Sequence, residues 1–224
     1  MAIAHDATGT FGATPDTASP MAWTHTPVGT PRGIIVLLVT NDTTDTITSV
    51  SYGASTMLRK LWQNVAGENG SAYAYFLGVS VPTGPQTVSV VFTGSNNHMG
   101  CSISVTAADD TSVDAQNSVS STSLANPSIG LTTSVTTITY GALYSGIAAP
   151  SSIAPDANHT DVQEADLGAE SASCIRRSAT VAAGSPTVAW TVAADDVAAI
   201  AIAVREGVPL VTGTGWYQSS AGWF

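Results

Sequence analysis

Short stretches in which apolar and small or polar residues alternate, each closed by a turn, run through almost the whole chain. Tyr73, Tyr75, Leu77 and Val79 fall on one side of one such stretch. Period two is the strand repeat, because successive side chains point to opposite faces of a pleated backbone. Gly84-Pro85, Asn69-Gly70 and Gly53-Ala54 punctuate the stretches with turn chemistry. The best helix candidate is the alanine-rich 193–204 segment, yet its Ile200-Ala-Ile-Ala-Val204 core also alternates at period two and predicts a strand. Residues 34–40 form a continuous apolar run, the mark of a strand buried on both faces.

About twelve such segments at the spacing of sandwich or barrel strands predict an all-β fold. No helical crossover separates them, so a parallel sheet is excluded and two packed antiparallel sheets are expected. Residues 109–123 are polar and serine-rich, and read as a long loop or a weak outer strand. Residues 1–33 hold Pro15, Pro20, Pro27 and Pro31 and read as an extended arm, with room for one edge strand over 21–26. The expected division is an arm over 1–33, a jelly-roll-like β-sandwich over 34–206 and an aromatic tail over 207–224. An internal echo runs through the sandwich. Gly84-Pro-Gln-Thr-Val-Ser-Val leads to Cys101-Ser-Ile-Ser-Val, and Gly184-Ser-Pro-Thr-Val-Ala-Trp leads to Ile200-Ala-Ile-Ala-Val. These read as equivalent hairpins in two halves of one fold.

Charge narrows the function. The chain has 224 residues with 6 Lys+Arg against 16 Asp+Glu, a net charge of −10. Lys60 is the only lysine, and no basic cluster exists to meet phosphates, so no nucleic-acid partner is expected. At 44% hydrophobic and 10% charged, the chain is not of disordered composition. No apolar run reaches the roughly 20 residues of a membrane helix. The start, Met1-Ala-Ile-Ala-His-Asp6, lacks the basic and apolar parts of a signal peptide, so synthesis in the cytoplasm without export is expected. Cys101 and Cys174 sit in apolar, strand-like runs and read as buried free thiols or as one pair.

Few residues suggest chemistry. His159-Thr-Asp161-Val-Gln-Glu164, with Asp156, Asp166 and Glu170 nearby, offers oxygen donors, but without the ligand spacing of a calcium loop. The pairs Asp109-Asp110 and Asp195-Asp196 stand where turns are expected. No zinc pattern, nucleophile elbow or phosphate-binding loop occurs. The chain is therefore read as a non-enzyme with no metal or cofactor. Trp62, Tyr73, Tyr140 and Tyr144 could stack on sugar rings, although at period two they read as core. Trp23, Trp216, Tyr217, Trp223 and Phe224 are the candidate partner-binding residues, because aromatic rings in flexible segments tend to anchor in a neighbour.

Four stretches carry a resemblance: Ser49-Val-Ser-Tyr-Gly-Ala54, the run from Tyr75 through Pro82-Thr-Gly-Pro-Gln-Thr-Val to Gly94, Ile103-Ser-Val-Thr-Ala107, and Thr187-Val-Ala-Trp-Thr191 followed by the 197–204 strand. Together they resemble a β-sandwich module of phage virion proteins, also found in large bacterial surface proteins. Ala54 replaces a usual glycine, and Ala199 stands where tryptophan is common. The resemblance implies a virion structural protein, foremost a capsid decoration or cement protein. It would contact the major capsid protein or other virion proteins as a homo-oligomer, with a trimer favoured. The alternative it implies is a host-recognition or carbohydrate-binding module of a tail tip or fibre. The family carries no catalytic residues to transfer.

Overall fold

The computed structural model describes residues 2–11, 18–94, 97–147 and 152–207. Among them the regular structure is β throughout, and every strand pairing is antiparallel. The first half holds β1 (Ala4–Thr10), β2 (Met21–His25), β3 (Gly33–Thr40), β4 (Ile47–Tyr52), β5 (Ser55–Thr56), β6 (Leu58–Asn64), β7 (Ser71–Leu77), β8 (Gln86–Phe92) and β9 (His98–Thr106). The second holds β10 (Ala108–Leu124), β11 (Ser128–Gly130), β12 (Thr137–Ser145), β13 (Ala154–Pro155), β14 (His159–Asp166), β15 (Ser171–Arg177), β16 (Thr187–Thr191) and β17 (Asp195–Glu206).

The two halves repeat one topology. The first inner sheet runs β1-β9-β3-β7-β6, and the second runs β10-β17-β12-β15-β14. The outer sheets run β2-β8-β4-β5 and β11-β16-β13. In the first half β3 pairs with both β9 and β7, β9 also with β1, and β8 with both β2 and β4. The local irregularities repeat as well. β6 shifts register between Arg59 and Leu61, opposite Tyr75 and Ala74. β14 shifts between Asp161 and Gln163, opposite Ile175 and Cys174.

Three cores bind four layers. One joins the first outer and inner sheets through Trp23, Ile34, Val36, Tyr52, Tyr73 and Val90. A second joins the two inner sheets through Ile35, Leu37, Phe76, Tyr140, Tyr144, Ile200 and Ile202. A third joins the second inner and outer sheets through Leu143, Ile175, Val188, Trp190 and the alanines 199, 201 and 203. The central strands of the inner sheets are thus buried on both faces. This is why β3 is an unbroken apolar run: Ile34, Val36 and Leu38 face outward, while Ile35, Leu37 and Val39 face the opposite half. β17 divides in the same way, with its small alanines under Trp190 and its isoleucines toward the first half.

The inner sheets pack about a pseudo-twofold axis. β3 lies against β12, β7 against β17 and β9 against β15. At one margin β6 meets β10, and at the other β14 meets β1. Side chains tie both margins. Gln63 Nε2 donates to Ser120 Oγ at 2.9 Å, and Ser118 Oγ donates to Gln63 Oε1 at 2.8 Å. Gln163 Nε2 donates to the Phe11 carbonyl at 2.9 Å. Gly70 is required where the halves approach. Its φ is +121°, and a Cβ there would sit 2.1 Å from the Tyr144 ring.

Two expectations change, and one alternative holds. The edge strand expected over 21–26 is β2, but the described part of 1–33 is not otherwise a free arm, because β1 is an edge strand of the first inner sheet. The single sandwich expected over 34–206 is two sandwiches, each hairpin of the echo belonging to its own. Of the two readings of the polar 109–123 segment, the outer strand holds: it lies within β10, the edge strand that pairs with β17 along most of its length. Beyond Gly207 the expected tail lies outside the described residues.

Candidate functional site

Trp23 points inward. Its ring packs edge-on to Phe11 at 5.9 Å, and its Nε1 donates to Ser102 Oγ at 2.9 Å. Ser102 Oγ also donates to the Gly9 carbonyl and lies 2.9 Å from His25 Nδ1. Burial drives the His25 pKa down to about 4. The neutral ring is thus part of a buried polar joint between β2, β9 and the strand that precedes them. Trp216, Tyr217, Trp223 and Phe224 lie outside the described residues. Of the four rings considered for sugar stacking, Tyr73, Tyr140 and Tyr144 are buried. Trp62 is half-buried and stacked on Tyr73 at 6.3 Å.

The densest polar grouping that the sequence singled out lies along β14. His159 sits at its start with its ring buried. Asp156 Oδ1 lies 2.8 Å from His159 Nδ1 and accepts the Asn158 amide at 2.7 Å, while its Oδ2 accepts the Ala189 amide at 3.1 Å. A carboxylate only accepts, so the neutral ring carries its proton on Nδ1. His159 Nε2 is then the acceptor for the Thr139 hydroxyl at 2.9 Å. Burial lowers the His159 pKa, whereas hydrogen bonds from His159 and the backbone outweigh burial and lower that of Asp156. A hydroxyl, imidazole and carboxylate in this order form a proton relay of the kind that activates nucleophiles. Thr139 is fully buried, however, so no substrate carbonyl can reach its oxygen. The relay works as a structural tie joining β12, β14, β16 and the turn between β13 and β14.

Farther along β14, Asp161 and Glu164 share a hydrogen bond across the register shift. Ser173 Oγ donates to Asp161 Oδ1 at 3.4 Å, and Trp190 Nε1 donates to Ser173 Oγ at 3.2 Å. Burial, followed by the Asp161 charge, pushes the Glu164 pKa up to about 7. Asp161 is also raised by burial. The corresponding positions of β6 are Arg59 and Trp62, so the two halves have diverged most in charge along this strand. Arg59 is paired with Asp45.

The structure does not bring His159, Asp161 and Glu164 into one ligand set. Among the described residues no group of three or more His, Cys, Asp or Glu side chains is placed to hold a metal ion. Asp195 and Asp196 stand at the start of β17, beside Gly146. Sequence reasoning missed a buried pair, Asp42 and His98, whose Oδ2 and Nε2 lie 3.3 Å apart. The His98 ring stacks on Phe92 at 3.7 Å, and Thr46 donates to Asp42 at 2.7 Å. No local pattern marks either residue, since both lie in turn-flanking positions 56 residues apart. No described helix is long and apolar enough to cross a membrane. The chain matches no family model, no curated protein and no solved structure.

Proposed function

We propose that this chain is a structural protein of a bacteriophage virion, and within the virion a capsid decoration or cement protein. The observation that carries the reading is the uncharged, aromatic sequence of the C-terminal segment beside a tightly packed body. Four packed layers hold buried polar ties between strands, among them Trp23–Ser102 and Thr139–His159–Asp156. Residues 208–224 contain no Asp, Glu, Lys or Arg, yet hold Trp216, Tyr217, Trp223 and Phe224. Gly207, the last described residue before that segment, donates its amide to the Ala107 carbonyl at 2.8 Å. β1 starts at the same end, where Ala4 pairs with Thr106.

In this role the body sits on the shell, and the aromatic segment anchors in the major capsid protein or another virion protein, as part of a homo-oligomer such as a trimer. Binding only the assembled shell stabilises it by mass action. The acidic surface limits adhesion to nucleic acid. Catalysis has no part in this reading. The test is to compare heat and osmotic survival of particles with and without the protein, and to add back the chain lacking 208–224. Loss of survival, restored by the full chain and not by the folded truncation, is expected. Equal survival without the protein refutes the reading.

A further inference from the structure

The two cysteines face one another across the plane between the halves. Cys101 lies on β9 opposite Leu37 of β3, and Cys174 lies on β15 opposite Ala142 of β12. Both are fully buried in the core between the inner sheets, and both are free thiols. β9 packs against β15, which brings the Cys174 thiol within interaction range of Cys101. The pseudo-twofold axis supplies a control within the molecule. Leu37 pairs with Ala74 and Cys101, and its counterpart Ala142 pairs with Cys174 and Ile200. The symmetry mate of the cysteine pair is therefore Ile200 with Ala74. Ordinary aliphatic packing fills that site, so the packing does not demand sulfur at the other.

We propose that Cys101 and Cys174 are a latent covalent staple between the two halves, closed by a small-molecule disulfide such as oxidised glutathione. One cysteine thiolate attacks the glutathione disulfide, forms a mixed disulfide and releases one glutathione thiolate. The second cysteine thiolate attacks the protein sulfur of that mixed disulfide and expels the other glutathione thiolate. Two protein thiols are oxidised to one disulfide, one glutathione disulfide is reduced to two thiols, and the cysteine protons end on the departing sulfurs. A disulfide needs its α-carbons within about 7 Å, so closure draws the already packed β9 and β15 together at this one site. Burial seals the pair and raises the Cys174 thiol pKa, so exchange takes place while the halves close and is slow once they have closed. The same sealing protects the staple from reduction. The effect is to make separation of the halves depend on redox history.

The test refolds the full chain from denaturant in a buffer of reduced and oxidised glutathione, and then reads intact mass and peptide linkage. The expected product has lost two hydrogens, carries no glutathione and yields a Cys101–Cys174 linked peptide. Its melting midpoint should rise by roughly 5–10 °C over the reduced form. Cys174→Ala copies the residue of the other half and should fold; it should show no linked peptide and no redox-dependent shift in midpoint. Wild-type chain that refolds with two free thiols or two glutathione adducts overturns the proposal. So does a linked product that melts no higher than the reduced form.

Discussion

Trp23 shows how a residue's chemistry and its place can point to different roles. An exposed tryptophan in a proline-rich segment would serve a partner, whereas here the ring is 8% exposed and its nitrogen is bonded to Ser102. Trp23→Ala should therefore cost stability, about 3–5 kcal/mol in urea unfolding of the isolated protein. Trp23→Phe should cost less, because the Ser102 hydroxyl keeps the Gly9 carbonyl and His25. A Trp23→Ala protein of unchanged stability would return the residue to the surface. At the same scale, two titrating groups oppose each other. Glu164 has its pKa raised from 4.5 to about 7, so its contribution is fully present below pH 4.5 and is lost as pH rises through 7. His25 has its pKa lowered from 6.5 to about 4, so the neutral ring's contribution is present above 6.5 and is lost as pH falls toward 4. Their slopes partly cancel between pH 4.5 and 6.5. Glu164→Gln should remove one of them, leaving unfolding midpoints that fall more steeply toward acid than those of the wild type. Parallel profiles for the two proteins would show that Glu164 does not hold its proton in the fold.

Among the elements, the most informative comparison is between counterparts in the two halves. Val36 and Val90 lie in the first outer core, and their counterparts are Gly141 and Trp190 in the second. A Cβ on Gly141 would lie 2.6 Å from the Trp190 ring, so the glycine makes the space that the indole fills. One site divides its volume between two valines, and the other gives nearly all of it to one ring. Val90→Trp alone should overpack the first core by about 1–3 kcal/mol, and Val36→Gly alone should leave a cavity. The double variant should be more stable than the sum of the single losses predicts. Strict additivity in a double-mutant cycle would mean that the two sites do not share that volume. Counterparts also explain which elements were legible in the sequence. β3, β7, β12 and β17 announce themselves, because burial on both faces or clean alternation leaves a strong pattern. β1 and β10 do not, and they are the same strand of the repeat. Each is the edge of an inner sheet with a single hydrogen-bonded neighbour, so its sequence is mostly small and polar and reads as an arm in one half and as a loop or weak outer strand in the other. The duplication was visible only in the β8–β9 and β16–β17 hairpins, where turn and core requirements coincide. The buried pairs Asp42–His98 and Thr139–His159 were illegible for another reason: each joins residues far apart in the chain, and nothing local specifies them.

At the scale of the whole molecule, the isologous inner core decides how the protein unfolds. A chain of two sandwiches linked by the single residue Ala107 could melt as two independent domains. Here each inner sheet provides one wall of a shared core containing Ile35, Leu37, Tyr140, Tyr144, Ile200 and Ile202, all essentially buried. Loss of either half would expose the apolar inner face of the other, at about 25 cal/mol for each Å² returned to water. The half left behind would also keep side chains such as Gln63 and Gln163 without their partners across the margins. Neither half then has a stable state of its own at the temperature where the other melts. Calorimetry of the reduced protein should accordingly show one transition, with an enthalpy near 0.7 kcal/mol for each ordered residue and equal to its van't Hoff value. Tyr144→Ala, which removes a ring of the second half packed over Gly70 of the first, should lower that single midpoint without splitting it. Two resolved transitions in the wild type, or a splitting in the variant, would mean that the sandwiches are stable separately and that the central core only docks them.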